Sequence, residues 1–129
     1  MTDDIDIVAA ALSGDRQAVL TDQLRRIETE LIGRLAVNIT TRENIHNLLA
    51  DLRADLLKLE PPHDGLGDDP STLTDRIALK REWRSLVREL SEEQRSCWAD
   101  TQALRTEARQ VEKELLQVRQ RDKRLGDFR

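Results

Sequence analysis

Apolar residues recur at steps of three and four along most of the chain. In the second half, Trp83, Leu90, Cys97, Leu104, Val111, Val118 and Leu125 follow one another every seven residues without a miss. Their companions, four residues on, are Val87, Gln94, Thr101, Ala108, Leu115 and Asp122. Such a repeat, held over six heptads, predicts a coiled-coil seam on one long helix, about 70–125. The flanking positions are Arg, Lys, Glu and Asp, as a solvated surround requires. The seam is uneven, with Gln94 and Thr101 in its middle and Asp122 near its end.

The first half carries a matching stripe. Leu24, Leu31, Asn38, Ile45, Leu52 and Leu59 recur every seven residues. Leu20, Ile27, Leu35, Arg42, Leu49 and Leu56 are their companions, and the stripe shifts by one between Ile27 and Leu35. A one-residue shift relaxes the supercoil locally. Val37-Asn-Ile-Thr-Thr41 is rich in β-branched residues and is weak helix. The period survives across it, so the reading is one helix with a bend near 38–41. Upstream, Ile5–Leu12 reads as a short helix, with a local break at Ser13-Gly14-Asp15.

One strong interruption separates the halves. Glu60-Pro-Pro-His-Asp-Gly-Leu-Gly-Asp-Asp-Pro70 holds all three prolines and two of the five glycines. Proline lacks the donor N–H and crowds the preceding turn, so the first helix stops here. Asp69 before Pro70 reads as an N-cap followed by proline at the first helical position. The organisation is therefore a single helical domain, 1–129, with a helical arm 3–59, a loop 60–70 and a helical arm 70–125. Two arms of equal length joined by a short loop predict an all-α fold, a long antiparallel helical hairpin or coiled coil. At ~1.5 Å per residue each arm is roughly 85 Å long.

Two helices hide only narrow stripes, and ordering entropy offsets most of what the stripes contribute. Ile32, Leu48, Leu57, Leu86, Trp98 and Leu116 lie outside the main seam and widen the apolar face. That width calls for a further element: a short N-terminal third helix folded back on the hairpin, or a second copy of the chain in a homodimer.

Composition removes other classes. Charged residues are 36% of the chain and aromatics 2%, against about 25% charged in an ordinary domain. An all-β fold wants β-branched and aromatic residues, and a disulfide framework wants several cysteines. Cys97 is the only cysteine. With a start lacking a basic segment and a longest apolar run of six residues, Ile7–Leu12, the chain reads as cytoplasmic, with no membrane partner. The net charge of −4 divides unevenly, −8 over residues 1–75 and +4 over 76–129. Opposite signs on two helices favour their pairing. Nucleic acid is disfavoured, because a basic stripe with little acid in it exists only at Arg119–Arg124.

No catalytic constellation is legible, and the expectation is a non-enzyme with no cofactor and no metal. His63 and the carboxylates of Asp64, Asp68 and Asp69 match neither a zinc motif nor a calcium loop and read as a polar turn. His46 reads as surface. Cys97 sits on the seam, where free cysteine behaves as a small apolar side chain. Leu24–Ile32 is similar to the opening of the helical chorismate mutases, but that family's later lysine and Arg-Glu pattern has no counterpart here.

Ala10-Ala-Leu-Ser-Gly-Asp-Arg-Gln-Ala-Val-Leu20, followed by amphipathic helix to Leu35, resembles the FlgN-type flagellar export chaperones. Two features depart from that family: the helix before Gly14 is short, and Leu90 is followed by Ser-Glu-Glu-Gln94 rather than an asparagine-containing segment. The resemblance implies a chaperone that captures a helical segment of a secreted subunit by helix-in-groove packing. The rival reading is a dimeric coiled-coil scaffold or spacer. Partner-binding positions follow from apolar surface beyond what one hairpin covers: Trp98, Val111, Leu115, Val118 and Leu125. A loop centred near residue 65 also sets Asn38 opposite Gln94, which predicts an amide pair that holds the register.

Overall fold

A computed structural model describes residues 2–59 and 70–127, with side chains at residue 12 and over 14–59 and 70–126. It consists of two helices, α1 (Thr2–Lys58) and α2 (Pro70–Asp127). They pack against each other as an all-α helical hairpin. The loop, with its polar cluster around His63 and the Asp69 cap, lies outside the described residues.

α1 is unbroken from Thr2. There is no separate N-terminal third helix, and Ser13-Gly14-Asp15 does not interrupt the helix. Glycine in a helix interior costs about 0.5–1 kcal/mol and lowers helix content without forbidding it. The 37–41 segment is likewise plain α-helix. Propensity differences of at most about 0.7 kcal/mol per residue are small against burial of the neighbouring Ile45. Threonines are accommodated by bonding back one turn: Thr21 Oγ1 donates to the Gln17 carbonyl at 2.8 Å and Thr29 Oγ1 to the Arg25 carbonyl at 2.9 Å.

Each end at the loop has a local cause. Pro70 opens α2, where a missing N–H costs nothing. At the close of α1, the Leu59 N–H donates to the Leu56 carbonyl at 3.1 Å. The Leu59 carbonyl in turn accepts from Arg76 Nη2 at 2.5 Å, which satisfies an acceptor the helix leaves open.

Packing divides the chain into two compact units. The terminal unit comprises residues 1–34 and 99–129, the central unit residues 35–98. In the terminal unit Leu20, Ile27, Val111 and Leu115 form the core, with Leu24, Leu104, Ala108 and Val118 against it. In the central unit Ile45, Leu52 and Leu86 are the core, with Leu49, Leu79, Trp83 and Leu90 around it.

The seven-residue repeat holds in both helices, but the companion positions change sides. On α2 the companions turned to the seam, buried or partly buried, are Thr101, Ala108 and Leu115 in the terminal unit, four residues after each repeat position, as the sequence predicts. In the central unit they are Leu86 and Glu93, only three residues on, while Val87 and Gln94 are exposed. Two consecutive steps of four, Glu93–Cys97–Thr101, make the change. On α1 the companions are Ile27, Arg34 and Thr41, then Leu49 and Leu56. The shift therefore falls between Thr41 and Leu49, not between Ile27 and Leu35, and Leu35 and Arg42 face outward.

The predicted amide pair is not formed. Asn38 is buried, but its Nδ2 donates to Glu93 Oε1 at 3.3 Å, and Gln94 is exposed. The shift on α2 rotates its central-unit seam by one residue, which exchanges Gln94 for Glu93.

Candidate functional site

The five expected partner-binding residues separate by burial. Val111 and Leu115 are buried in the terminal core and offer no surface. They lie on the face that α1 already covers, because the repeat that singled them out is the hairpin's own seam. Val118 is partly buried against the same core. Leu125 is exposed, and Trp98 is 67% exposed. Of the residues expected to widen the apolar face, Leu86 is core, whereas Ile32, Leu48, Leu57 and Leu116 stand exposed.

Three arginine–carboxylate pairs cross the seam of the terminal unit. Arg16 Nη2 donates to Glu114 Oε2 at 2.7 Å and Arg34 Nε to Asp100 Oδ2 at 2.8 Å. Arg26 bonds Glu30 at 2.8 Å on its own helix and Glu107 across the seam. Hydrogen bonds to Glu30 and then Glu107 raise the Arg26 pKa above its ordinary value. Gln17 donates to Asp122 Oδ2, while the other oxygen of Asp122 is buried without a partner.

The central unit carries recesses at its surface. Arg53 and Leu56 of α1 and Lys80, Trp83 and Arg84 of α2 line a shallow recess of about 530 Å³. Its floor is Leu56 and the partly buried Trp83, which packs on the Ile45–Leu52–Leu86 core. Its rim is three cations. Among the described residues, Arg53, Lys80 and Arg84 have no ion pair or hydrogen bond. A second recess of about 260 Å³ lies between Thr41 and Ile45 on α1 and Glu89, Glu92, Glu93 and Ser96 on α2.

The basic recess is a site the seven-residue reading does not find. That reading uses Trp83 only as a seam residue and leaves the cations as solvated flanks. The signal available was their spacing: Lys80, Arg84 and Arg88 stand four apart, a row of like charges that destabilises an isolated helix.

Chemistry of other kinds has little support in the geometry. Cys97 is a free, buried thiol. Among the described residues no group of three or more His, Cys, Asp or Glu side chains could hold a metal ion. No helix among them is long and apolar enough to cross a membrane.

Residues 8–125 match a family of unknown function, DUF8104, and the chain belongs to that family. No curated protein and no solved structure matches the chain.

Proposed function

We propose that this chain is a non-enzymatic protein-binding hairpin that holds a helical segment of a partner. The observation that carries the reading is the apolar surface left by the two-helix packing. Trp98, Ile32, Leu48, Leu57 and Leu116 are large side chains with 49–68% of their surface in water. A partner helix laid on one face of a hairpin covers exposed apolar residues of that face without disturbing the existing core. Trp is also enriched among residues that dominate binding energy, and Trp98 sits on a regular helix that presents it rigidly. The finer form of the proposal is a cytoplasmic chaperone of the kind the FlgN-type resemblance implies, with a secreted subunit as client.

The rival is a homodimeric scaffold, in which a second copy covers the same positions. α1 favours it: its exposed apolar residues lie all round the helix rather than on one stripe. One experiment separates the two. Light scattering after size exclusion gives the mass of the wild type, and affinity capture from the source cells is run with wild type and Trp98→Ala. A monomer whose captured chains are lost in Trp98→Ala supports the chaperone. A dimer that Trp98→Ala converts to monomer supports the scaffold. A monomer that captures the same chains with and without Trp98 overturns the placement of the binding surface.

A further inference from the structure

Along the outer face of α2 in the central unit runs a second stripe, distinct from the seam. Leu73, Ile77, Lys80, Arg84 and Val87 follow at steps of four, three, four and three, the spacing of one helical face. All five are exposed, the apolar ones by 44–47%. The stripe is apolar at its ends and basic in its middle, and the basic middle is the rim of the Trp83–Leu56 recess. At ~1.5 Å per residue it is about 21 Å long, three to four turns of helix.

This arrangement is poorly explained by folding alone. Between Leu73 and Arg88, α2 carries five cations and two carboxylates. Lys80 and Arg84 are four residues apart, as are Arg84 and Arg88, so they repel along the helix. Arg53 adds a cation from α1 at the same recess. In the terminal unit, by contrast, Arg16, Arg26 and Arg34 all meet carboxylates across the seam. Among the described residues no carboxylate pairs with Arg53, Lys80 or Arg84, so the rim of the recess is left to an anionic ligand.

We infer that the Leu73–Val87 stripe and its recess seat an acidic amphipathic helix of another protein. The inference deepens the reading of the chain as a helix holder and rests on it. It names a second place and the chemistry of the segment. Apolar residues of the incoming helix cover Leu73, Ile77 and Val87. One of its apolar or aromatic side chains enters the recess onto Trp83 and Leu56. Its glutamates or aspartates face Arg53, Lys80 and Arg84, where partial burial strengthens the ion pairs. The length of the stripe favours a helix over a compact anion, which would meet the rim and leave Leu73, Ile77 and Val87 bare. Leu73, Ile77 and Val87 disfavour a nucleic acid strand, whose phosphates would meet the cations and leave these exposed apolar side chains bare.

The test uses Trp83 as its own reporter. Trp98→Phe leaves Trp83 the only tryptophan. The probe is a synthetic helix of about 18 residues, leucine at heptad spacing with glutamates beside it, long enough to cover the stripe. The control has lysine for every glutamate. We expect the acidic helix to shift Trp83 emission saturably, more weakly as salt rises, and the basic helix to leave it unchanged. Charge reversal in Lys80→Glu/Arg84→Glu should weaken the acidic helix by about tenfold or more and admit the basic one. Lys80→Gln/Arg84→Gln, which keeps helix propensity, should fall between, with circular dichroism unchanged in both variants.

Equal binding of the acidic helix to wild type and to the charge-reversed variant would overturn the seat while leaving the helix-holder reading intact. Tighter response to a single-stranded oligonucleotide than to the acidic helix would overturn it in favour of nucleic acid. Salt-sensitive self-association, abolished by the charge reversal, would place a second copy of this chain there instead. No response to either helix, with Trp98-dependent capture retained, would overturn the seat alone; loss of both would remove the helix-holder reading as well.

Discussion

The two units are built from the same two helices and the same heptad grammar, yet they are stabilised differently. The terminal unit buries Leu20 and Ile27 completely, to 0% and 1% exposure, and brackets them with arginine–carboxylate pairs that cross the seam. The central unit has no fully buried side chain of that size. Its core residues Ile45, Leu52 and Leu86 retain 5–8% exposure, and Arg53, Lys80 and Arg84 face water. The difference lies at Leu20 and Ile27, since Val111 and Leu115 of the terminal core keep 7% and 6% exposure, as the central core residues do. The lesson is that a long hairpin need not divide its work evenly. One stretch can hold the fold while another keeps charge and apolar surface for a partner.

The units should differ most at their cores. Ile27→Ala should cost about 3 kcal/mol, within the range of large-to-small core changes, because the site is fully closed. Leu52→Ala should cost less, about 2 kcal/mol, since part of its surface is already wet. Urea melts of the two variants measure the difference, and hydrogen exchange shows which unit opens first. If Leu52→Ala proves the costlier change, the terminal unit is not the better-packed one.

A smaller effect sharpens the central unit. A double-mutant cycle of Asn38→Ala and Glu93→Ala should show coupling of about 1 kcal/mol, as expected for a long hydrogen bond to a carboxylate. The same cycle with Gln94→Ala should be additive. Coupling of Asn38 to Gln94 instead would restore the register expected from the repeat and contradict the observed seam.

The smallest effect tests the terminal unit. Its helices hold Gly14, Gly33 and Gly126, while the described helices of the central unit contain no glycine. A Cβ added at Gly33 meets nothing within 4 Å. Gly33→Ala should therefore stabilise by roughly 0.5–1 kcal/mol by reducing the freedom of the unfolded chain. A thermal melt suffices; a loss of stability would mean that Gly33 has a packing role the structure does not show.

Much of the architecture was legible because helices announce themselves by period. The seven-residue rows through Ile45 and Leu52, and through Cys97 and Val111, mark the buried face on both arms, and the three prolines mark the break between them. α1 runs to Lys58 and α2 opens at Pro70, on either side of the proline-rich stretch, where proline acts locally. The candidate surface was less legible. Val111 and Leu115 were apolar and periodic, which is as true of a core as of a docking face. Trp83 read as core, which it partly is, and nothing in a one-dimensional pattern says that Arg53 stands beside it.

The sequence by itself determined that this chain is two long helices folded into an all-α hairpin, because secondary structure here depends on local periodicity and on proline. Tertiary structure alone decided which side of each repeat is buried. Steps of three and four differ by one residue, and both are compatible with a seam. Only the packing of one helix against the other selects Leu86 over Val87, Glu93 over Gln94 and Arg34 over Leu35. That selection is what leaves Val87 on the outer stripe, brings Asn38 to Glu93, and sets a row of cations around an aromatic floor.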